Sequence, residues 1–434
     1  MNRIISKAAY CSLFVLILAS FNACGSSSNS ASGDSGNSSS GQDAGASSNS
    51  SYQSSSDIQS SSSNAELSWQ DIGILDSSVR ITGRVDYSVE NQASVAWSGS
   101  AFTMAFTGTE IKIKLSAPGS VFNVYVDDDT TTLDLSESNE EEHLLADNLS
   151  LGPHVVTVYK RTEAQYGSAI FKGFSILGMP TASALPALPI KRIEFIGNSI
   201  TCGYGNLDSV KEHTFDILTE DHSFTYAAVT AKNLGAEEHT VCFSGRGIYR
   251  NNTGDTDGTL PELFPLQEPY GSSWDFQSWT PDLVSINLGT NDFYLGIPDS
   301  AAFVNSSVNF VKEIRRLYPS ASIVLLDGPM LSDYFPSATE EDLKLYPNTA
   351  KGYPSDYFLQ TGSNYTFRSQ TVCKRFLNAV QSILSTQGIT GTYRYSFPAQ
   401  TGANGYGADW HPSKKQGAAD ASRLTSWIKS TLNW

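Results

Sequence analysis

Three stretches of this 434-residue chain hold residue types that can act together on an ester carbonyl. The first is Phe195-Ile196-Gly197-Asn198-Ser199-Ile200-Thr201, where a serine stands just beyond an apolar run and two residues after a glycine. A serine on a tight turn into a helix can present its oxygen outward while backbone N–H groups face a developing negative charge. A plain helix N-cap uses the same residues, so this stretch alone decides nothing. The second, Asn287-Leu288-Gly289-Thr290-Asn291-Asp292, puts an amide donor at the end of another apolar run, beside a glycine that lets the backbone come close. An Asn/Asp turn is its equal alternative. The third is Ala408-Asp409-Trp410-His411-Pro412, a histidine fixed by the following proline with a carboxylate two residues earlier. That arrangement suits a general base whose Nδ1–H is held by an acceptor. His143, His154, His213, His222 and His239 have no such setting. No Cys-x-x-Cys or His-x-x-x-His spacing points to zinc, so chemistry without a metal or cofactor is expected.

The elements that must carry these residues have two rhythms. Residues 193–196, 239–243, 283–288 and 323–326 are apolar almost throughout, as parallel strands covered on both faces are. Between and after them, Phe303, Val304, Val308, Val311, Ile314 and Leu317 share one helical face, and Leu424, Trp427, Ile428 and Leu432 share another. Alternating strands and helices predict a doubly wound α/β domain over 190–434, with its ligand site beyond the carboxyl ends of the strands. Residues 66–180 instead alternate in short β-branched and aromatic runs, at 95–98, 102–106, 111–115, 122–126 and 155–159. Period-two alternation broken by Gly, Pro and Asp clusters predicts an all-β jelly-roll sandwich.

Ahead of both, residues 1–23 carry Arg3 and Lys7 before an apolar run too short to span a membrane, which predicts a signal peptide. The run closes on Ala23-Cys24, similar to a lipobox, so Cys24 is expected to be acylated, with simple secretion as the alternative. Residues 24–65 are nearly all Ser, Gly, Asn, Ala and Gln, a flexible linker that would tether a secreted body to a bacterial envelope. The formal charge of −16 repels phosphate backbones and argues against nucleic acid as a partner. Of five cysteines, Cys11 leaves with the leader and Cys24 takes the lipid. Cys202, Cys242 and Cys373 are expected as buried thiols, a Cys202–Cys242 bridge being the alternative in an oxidising compartment.

A strand-end serine, the Gly pair in Cys242-Phe243-Ser244-Gly245-Arg246-Gly247, then Gly-x-Asn-Asp and a late Asp-x-His-Pro resemble, in order and spacing, the blocks of the SGNH (GDSL-like) hydrolases. The resemblance implies a flavodoxin-like three-layer hydrolase domain behind the sandwich. It implies Ser199 as nucleophile, His411 as base, and an oxyanion hole made by the N–H groups of Ser199 and Gly245 and the side chain of Asn291. Two departures stand out: Asn198 replaces the usual Asp after the first Gly, and Asp409 lies two rather than three residues before the histidine. With Gly203-Tyr204-Gly205 and a leading β-sandwich, these features resemble the second carbohydrate esterase family, bidomain acetyl esterases of xylan and related polysaccharides. Some of its members orient the histidine with a backbone carbonyl, so Asp409 is either the third member of a triad or a bystander to a dyad. Tyr249, Tyr294 and Trp410 are candidates for stacking on a sugar or, equally, for packing in the protein. Arg246 and Asp292 read as ordinary loop charges. The expected partner is an acetylated polysaccharide acted on by a monomer whose only membrane contact is its lipid. The alternatives are a lipase or thioesterase on the same scaffold, and a binding protein without catalysis.

Overall fold

The computed structural model describes residues 67–333, 337–339, 357–361 and 364–434. The expected leader, Cys24 and the linker lie outside them.

The first body is antiparallel. Its strands are β1 (Trp69–Ile72), β2 (Val79–Thr82), β3 (Ala93–Val95), β4 (Ala101–Ser116), β5 (Ser120–Val126), β6 (Asp129–Leu135), β7 (Glu142–Ala146), β8 (Gly152–Lys160) and β9 (Ala169–Pro180). The order β1-β9-β4-β8-β5-β6 is joined by β2 and β7 on β4 and by β3 on β9. β4 organises it: Ala101–Gly108 pairs with β8 while Phe106–Ser116 runs along β9, with a register shift in the β9 ladder between Gly108 and Glu110. The shift falls where the backbone of Gly108 nears that of Gly178; a Cβ at Gly108 would stand 2.5 Å from the Leu177 carbonyl oxygen. With β4 serving both sets of strands, alternate residues such as Phe102, Met104, Ile111, Ile113, Phe122, Val156, Val158, Phe171 and Ile176 close around one apolar core.

The second body holds a parallel sheet of β10 (Lys191–Gly197), β11 (Ala236–Cys242), β12 (Leu283–Asn287), β13 (Ser322–Asp327) and β17 (Thr392–Ser396), in the order β11-β10-β12-β13-β17. Between β13 and β17 the chain adds a small antiparallel sheet of β14 (Ser337–Thr339), β15 (Phe358–Thr361) and β16 (Asn364–Phe367). Successive residues of the central strands supply opposite faces. Ile193, Phe195, Val324 and Leu326 pack with the helices Tyr226–Leu234 and Lys414–Leu432. Ile196, Val284, Ile286, Ile323 and Leu325 pack with Ser300–Leu317 and Ser369–Thr386. β10 has β11 on one side and β12 on the other, so the strand order reverses at its carboxyl end, where open α/β sheets take their ligands.

The two bodies share buried ground. Ala96, Trp97 and Ala164 of the antiparallel body belong to the core on the helix Ser300–Leu317 side of the parallel sheet. Arg84, wholly buried, donates to Glu194 Oε1 of β10 at 2.8 Å and to the Phe264 and Leu266 carbonyls.

Candidate active site

β10 ends at Gly197, and Asn198 turns the chain into a one-turn helix, Ser199–Cys202, its side-chain oxygen accepting the Ile200 N–H at 3.2 Å. Gly203, in the left-handed region, ends that turn. Ser199 thus stands at the carboxyl end of the strand, beside the reversal in strand order. His411 reaches it from the C-terminal region. The turn before it puts Asp409 and Trp410 at φ 48° and 58°, and Ser413 then caps the helix Lys414–Leu432. Ala408 N–H donates to the Gly205 carbonyl at 3.0 Å. Only glycine permits that approach, because a Cβ on Gly205 would lie 2.6 Å from Ala408 Cβ and its φ is +57°.

His411 Nε2 lies 2.8 Å from Ser199 Oγ, and Nδ1–H donates to the Ala408 carbonyl at 3.1 Å. With the proton on Nδ1, Nε2 is the lone-pair nitrogen that accepts the serine hydroxyl proton. Burial pushes the His411 imidazole down to about 4, against the opposing pull of the Ala408 carbonyl and Asp409. Asp409 as the acceptor of Nδ1 is therefore corrected: its carboxylate accepts the Tyr204 hydroxyl at 2.7 Å instead. A left-handed backbone at 409 and 410 gives the histidine a carbonyl three residues back as its partner. Nothing in the sequence around Tyr204 marks it as a partner of the base. Its ring stacks on His411 at 4.2 Å, and burial together with Asp409 raises its phenol far above the usual range, so it stays a donor.

Gly197 pairs with Cys242 of β11 and with Asn287 of β12, so the loops after three adjacent strands meet around Ser199. Phe243 N–H donates to the Gly197 carbonyl at 3.2 Å, drawing the Ser244-Gly245 stretch alongside the serine turn. Gly245 sits at φ +78°. Asn291 is buried, and Nδ2 donates one hydrogen to the Arg246 carbonyl at 2.8 Å. Asp292 is corrected from a loop charge to a buried anchor: it accepts the N–H groups of Ile248, Tyr249 and Arg250 at 2.8–3.0 Å. Burial raises its carboxyl above the ordinary value while those three donors oppose the rise. Arg246 lies over the Phe243 ring and donates to the Tyr270 hydroxyl at 3.1 Å. Cys202 and Cys242 form a disulfide, which corrects the expectation of free thiols for two of three; Cys373 is free and buried.

Of the three aromatic candidates, Tyr249 packs against the core, whereas Tyr294 and Trp410 are 51% and 49% exposed. Trp410 directly precedes His411 and carries the Lys211 ammonium 5.4 Å from its ring centre. Ser199 also lines a hollow of about 10 Å³ with Ile200, Tyr204, Phe224, Tyr226 and Asp420. Among the described residues, no group of three or more His, Cys, Asp or Glu side chains is placed to hold a metal ion.

Residues 81–186 match the family described as carbohydrate esterase 2 N-terminal, and residues 195–361 match the GDSL-like lipase/acylhydrolase family. A solved family two carbohydrate esterase from Clostridium thermocellum, in complex with cellohexaose, superposes with a TM-score of 0.69 at 34% identity, over 82% of this chain and 99% of that one. The cellulase/esterase CelE of Acetivibrio thermocellus is 34% identical over 354 residues, which are 81% of this chain but 39% of CelE. An acetylxylan esterase/glucomannan deacetylase of Cellvibrio japonicus is 25% identical, over 84% of this chain and 91% of its own length.

Proposed function

As the chain belongs to carbohydrate esterase family 2, we propose that it is a serine esterase that removes O-acetyl groups from plant polysaccharides such as acetylated xylan and related hemicelluloses. The observation that carries this is the 2.8 Å contact of Ser199 Oγ with His411 Nε2 at the carboxyl edge of the parallel sheet. Ser199 attacks the acetyl carbonyl as His411 takes its proton; the oxyanion meets the N–H groups of Ser199 and Gly245 and the second Nδ2 hydrogen of Asn291. His411 then gives the proton to the departing sugar oxygen, which leaves as a hydroxyl, and water activated by the same imidazole releases acetate from Ser199. The Ala408 carbonyl orients the base, so the unit is a dyad, with Asp409 acting on it through the charge it places nearby.

The exposed rings of Tyr294 and Trp410 support a polysaccharide over a lipid, because a sugar face stacks on a half-exposed aromatic without a closed apolar channel. The test is release of acetate from acetylated xylan and glucomannan, together with a nitrophenyl ester series of rising chain length. Loss of activity beyond acetate and its total loss in folded Ser199→Ala are expected. Preference for octanoate would overturn the acetyl assignment in favour of a lipase.

We further propose that the enzyme is secreted and tethered by lipid on Cys24, working as a monomer beside the cell surface. The Cys202–Cys242 disulfide supports an oxidising compartment, and the Ser/Gly-rich composition of 24–65 supports a tether. Cys24→Ser is expected to move the protein from the detergent phase to the soluble fraction; a wild-type protein already wholly soluble would rule the anchor out.

A further inference from the structure

We propose that Glu163, which the antiparallel body contributes from the connection between β8 and β9, is a positioning residue for the oxyanion donor at Gly245. The inference rests on the assignment of Gly245 to the oxyanion hole made above. Glu163 Oε2 accepts the Ser244 N–H at 2.7 Å and Oε1 accepts the Ser244 hydroxyl at 2.6 Å. One carboxylate therefore grips the residue before Gly245 by its backbone and its side chain at once. Only ψ of Ser244 is left to aim the next N–H. Gly245 has no side chain of its own to fix it, and at φ +78° it depends on its neighbours for its orientation.

The carboxylate is itself held with unusual care. Glu163 N–H donates to Glu220 Oε2 at 3.0 Å, Gln165 Nε2 donates to Glu163 Oε1 at 2.7 Å, and Lys160 Nζ donates to the Thr162 and Glu163 carbonyls at 2.8 and 3.3 Å. Lys160, Glu163 and Glu220 are all fully buried. Two buried carboxyls beside one ammonium are costly to desolvate, and burial raises both carboxyls above their ordinary values. A hydrophobic contact would join the two bodies at lower cost, whereas a carboxylate supplies what a methyl group cannot, a two-point acceptor for Ser244. The same connection also backs the base. Tyr166 stacks on Phe215 at 5.4 Å, Phe215 packs at a tilt against Tyr204 at 4.4 Å, and Tyr204 stacks on His411.

The test compares Glu163→Ala, Glu163→Leu and Glu163→Gln in the full chain, with kcat expressed per active serine counted by stoichiometric organophosphate inactivation. Ala and Leu are expected to lower kcat by about 10–100-fold, the range for a misplaced donor, with KM changed by less than about twofold, as for an interaction made in the transition state. Gln accepts the Ser244 N–H through its oxygen and, with the Gln165 amide turned over to accept, donates to the Ser244 hydroxyl through its nitrogen, so it is expected to recover most of the loss. Where Ala and Leu do not fold, Glu163→Asp, one methylene too short for both contacts, carries the same expected fall in kcat. Wild-type kcat per site in Ala, Leu or Asp, or a loss that Gln does not recover, overturns the inference. Ser199→Ala assayed alongside keeps the two readings apart. Activity remaining there overturns the esterase assignment, whereas a Ser199-dependent enzyme indifferent to Glu163 overturns this inference alone.

Discussion

His411 is a base whose ring is held by a carbonyl oxygen, and that choice of partner sets its acid–base behaviour. A carbonyl orients the imidazole without the full charge that would raise its proton affinity, so burial wins and the pKa falls to about 4. Nε2 then remains free to accept the serine proton well below pH 6. The acid limb of kcat/KM for nitrophenyl acetate is expected near pH 4, and a limb near the ordinary histidine value of ~6.5 would contradict the burial argument. For stability the sign follows from the same depression: the unfolded state binds the proton more readily, so His411 costs stability as pH falls from about 6.5 toward 4. Asp409→Ala removes a nearby charge and the acceptor of Tyr204, and is expected to cost kcat about 10-fold or less. His411→Ala should cost as much as Ser199→Ala, and the double variant little more than either, since the two act as one unit. The Ser199–His411 pair was legible because a serine just past an apolar run and a histidine fixed by a following proline are both written in sequence. The Ala408 carbonyl was not, since every residue carries one. Only the left-handed turn at Asp409 and Trp410 selects it.

At the level of elements, four of the five strands were legible as apolar runs: β10, β12 and β13 lie inside the sheet with both faces covered, and β11, at one edge, is buried over its last four residues. The fifth, β17 (Thr392–Ser396), escaped: it is an edge strand of polar and aromatic residues, each only partly buried, so nothing in Thr-Tyr-Arg-Tyr-Ser marks a sheet interior. The same parallel pairing explains the disulfide. Cys242 stands opposite Gly197 across β10 and β11, and Cys202 closes the turn that begins two residues after Gly197. Forty residues apart in sequence, the two sulfurs meet because the strands pair, a proximity that spacing alone does not disclose. The bond joins the nucleophile turn to the loop leading into Gly245. Cys202→Ala/Cys242→Ala is expected to lose about 2–4 kcal/mol of stability, read from guanidinium unfolding, the range for a bridge that closes a loop of this size. An unchanged unfolding midpoint would mean that the parallel pairing alone holds the two loops.

Between the two bodies, what matters is how charge is buried. Glu194 lies on β10, five residues before Ser199, and its cationic partner, Arg84, comes from the antiparallel body. The guanidinium stands 5.0–5.5 Å from the ring centres of Phe264, Trp274 and Phe276 and donates to two carbonyls, so water reaches neither charge. Neither residue could be paired from the sequence, since a buried Arg and Glu in different domains look like any other surface charges until both folds are in place. In water such a pair contributes little, but once both charges are buried, loss of one partner strands the other, at about 3–5 kcal/mol. Glu194→Leu should therefore destabilise the antiparallel body as well as the hydrolase, and the two should unfold together in one transition. Arg84→Met/Glu194→Leu should be less destabilised than the sum of its single variants, because neither charge is then left unpaired. The readout is guanidinium unfolding followed in parallel by tryptophan fluorescence and by loss of esterase activity. Activity lost well before fluorescence, or a Glu194→Leu variant as stable as wild type, would show that the hydrolase does not depend on the antiparallel body for its buried charge.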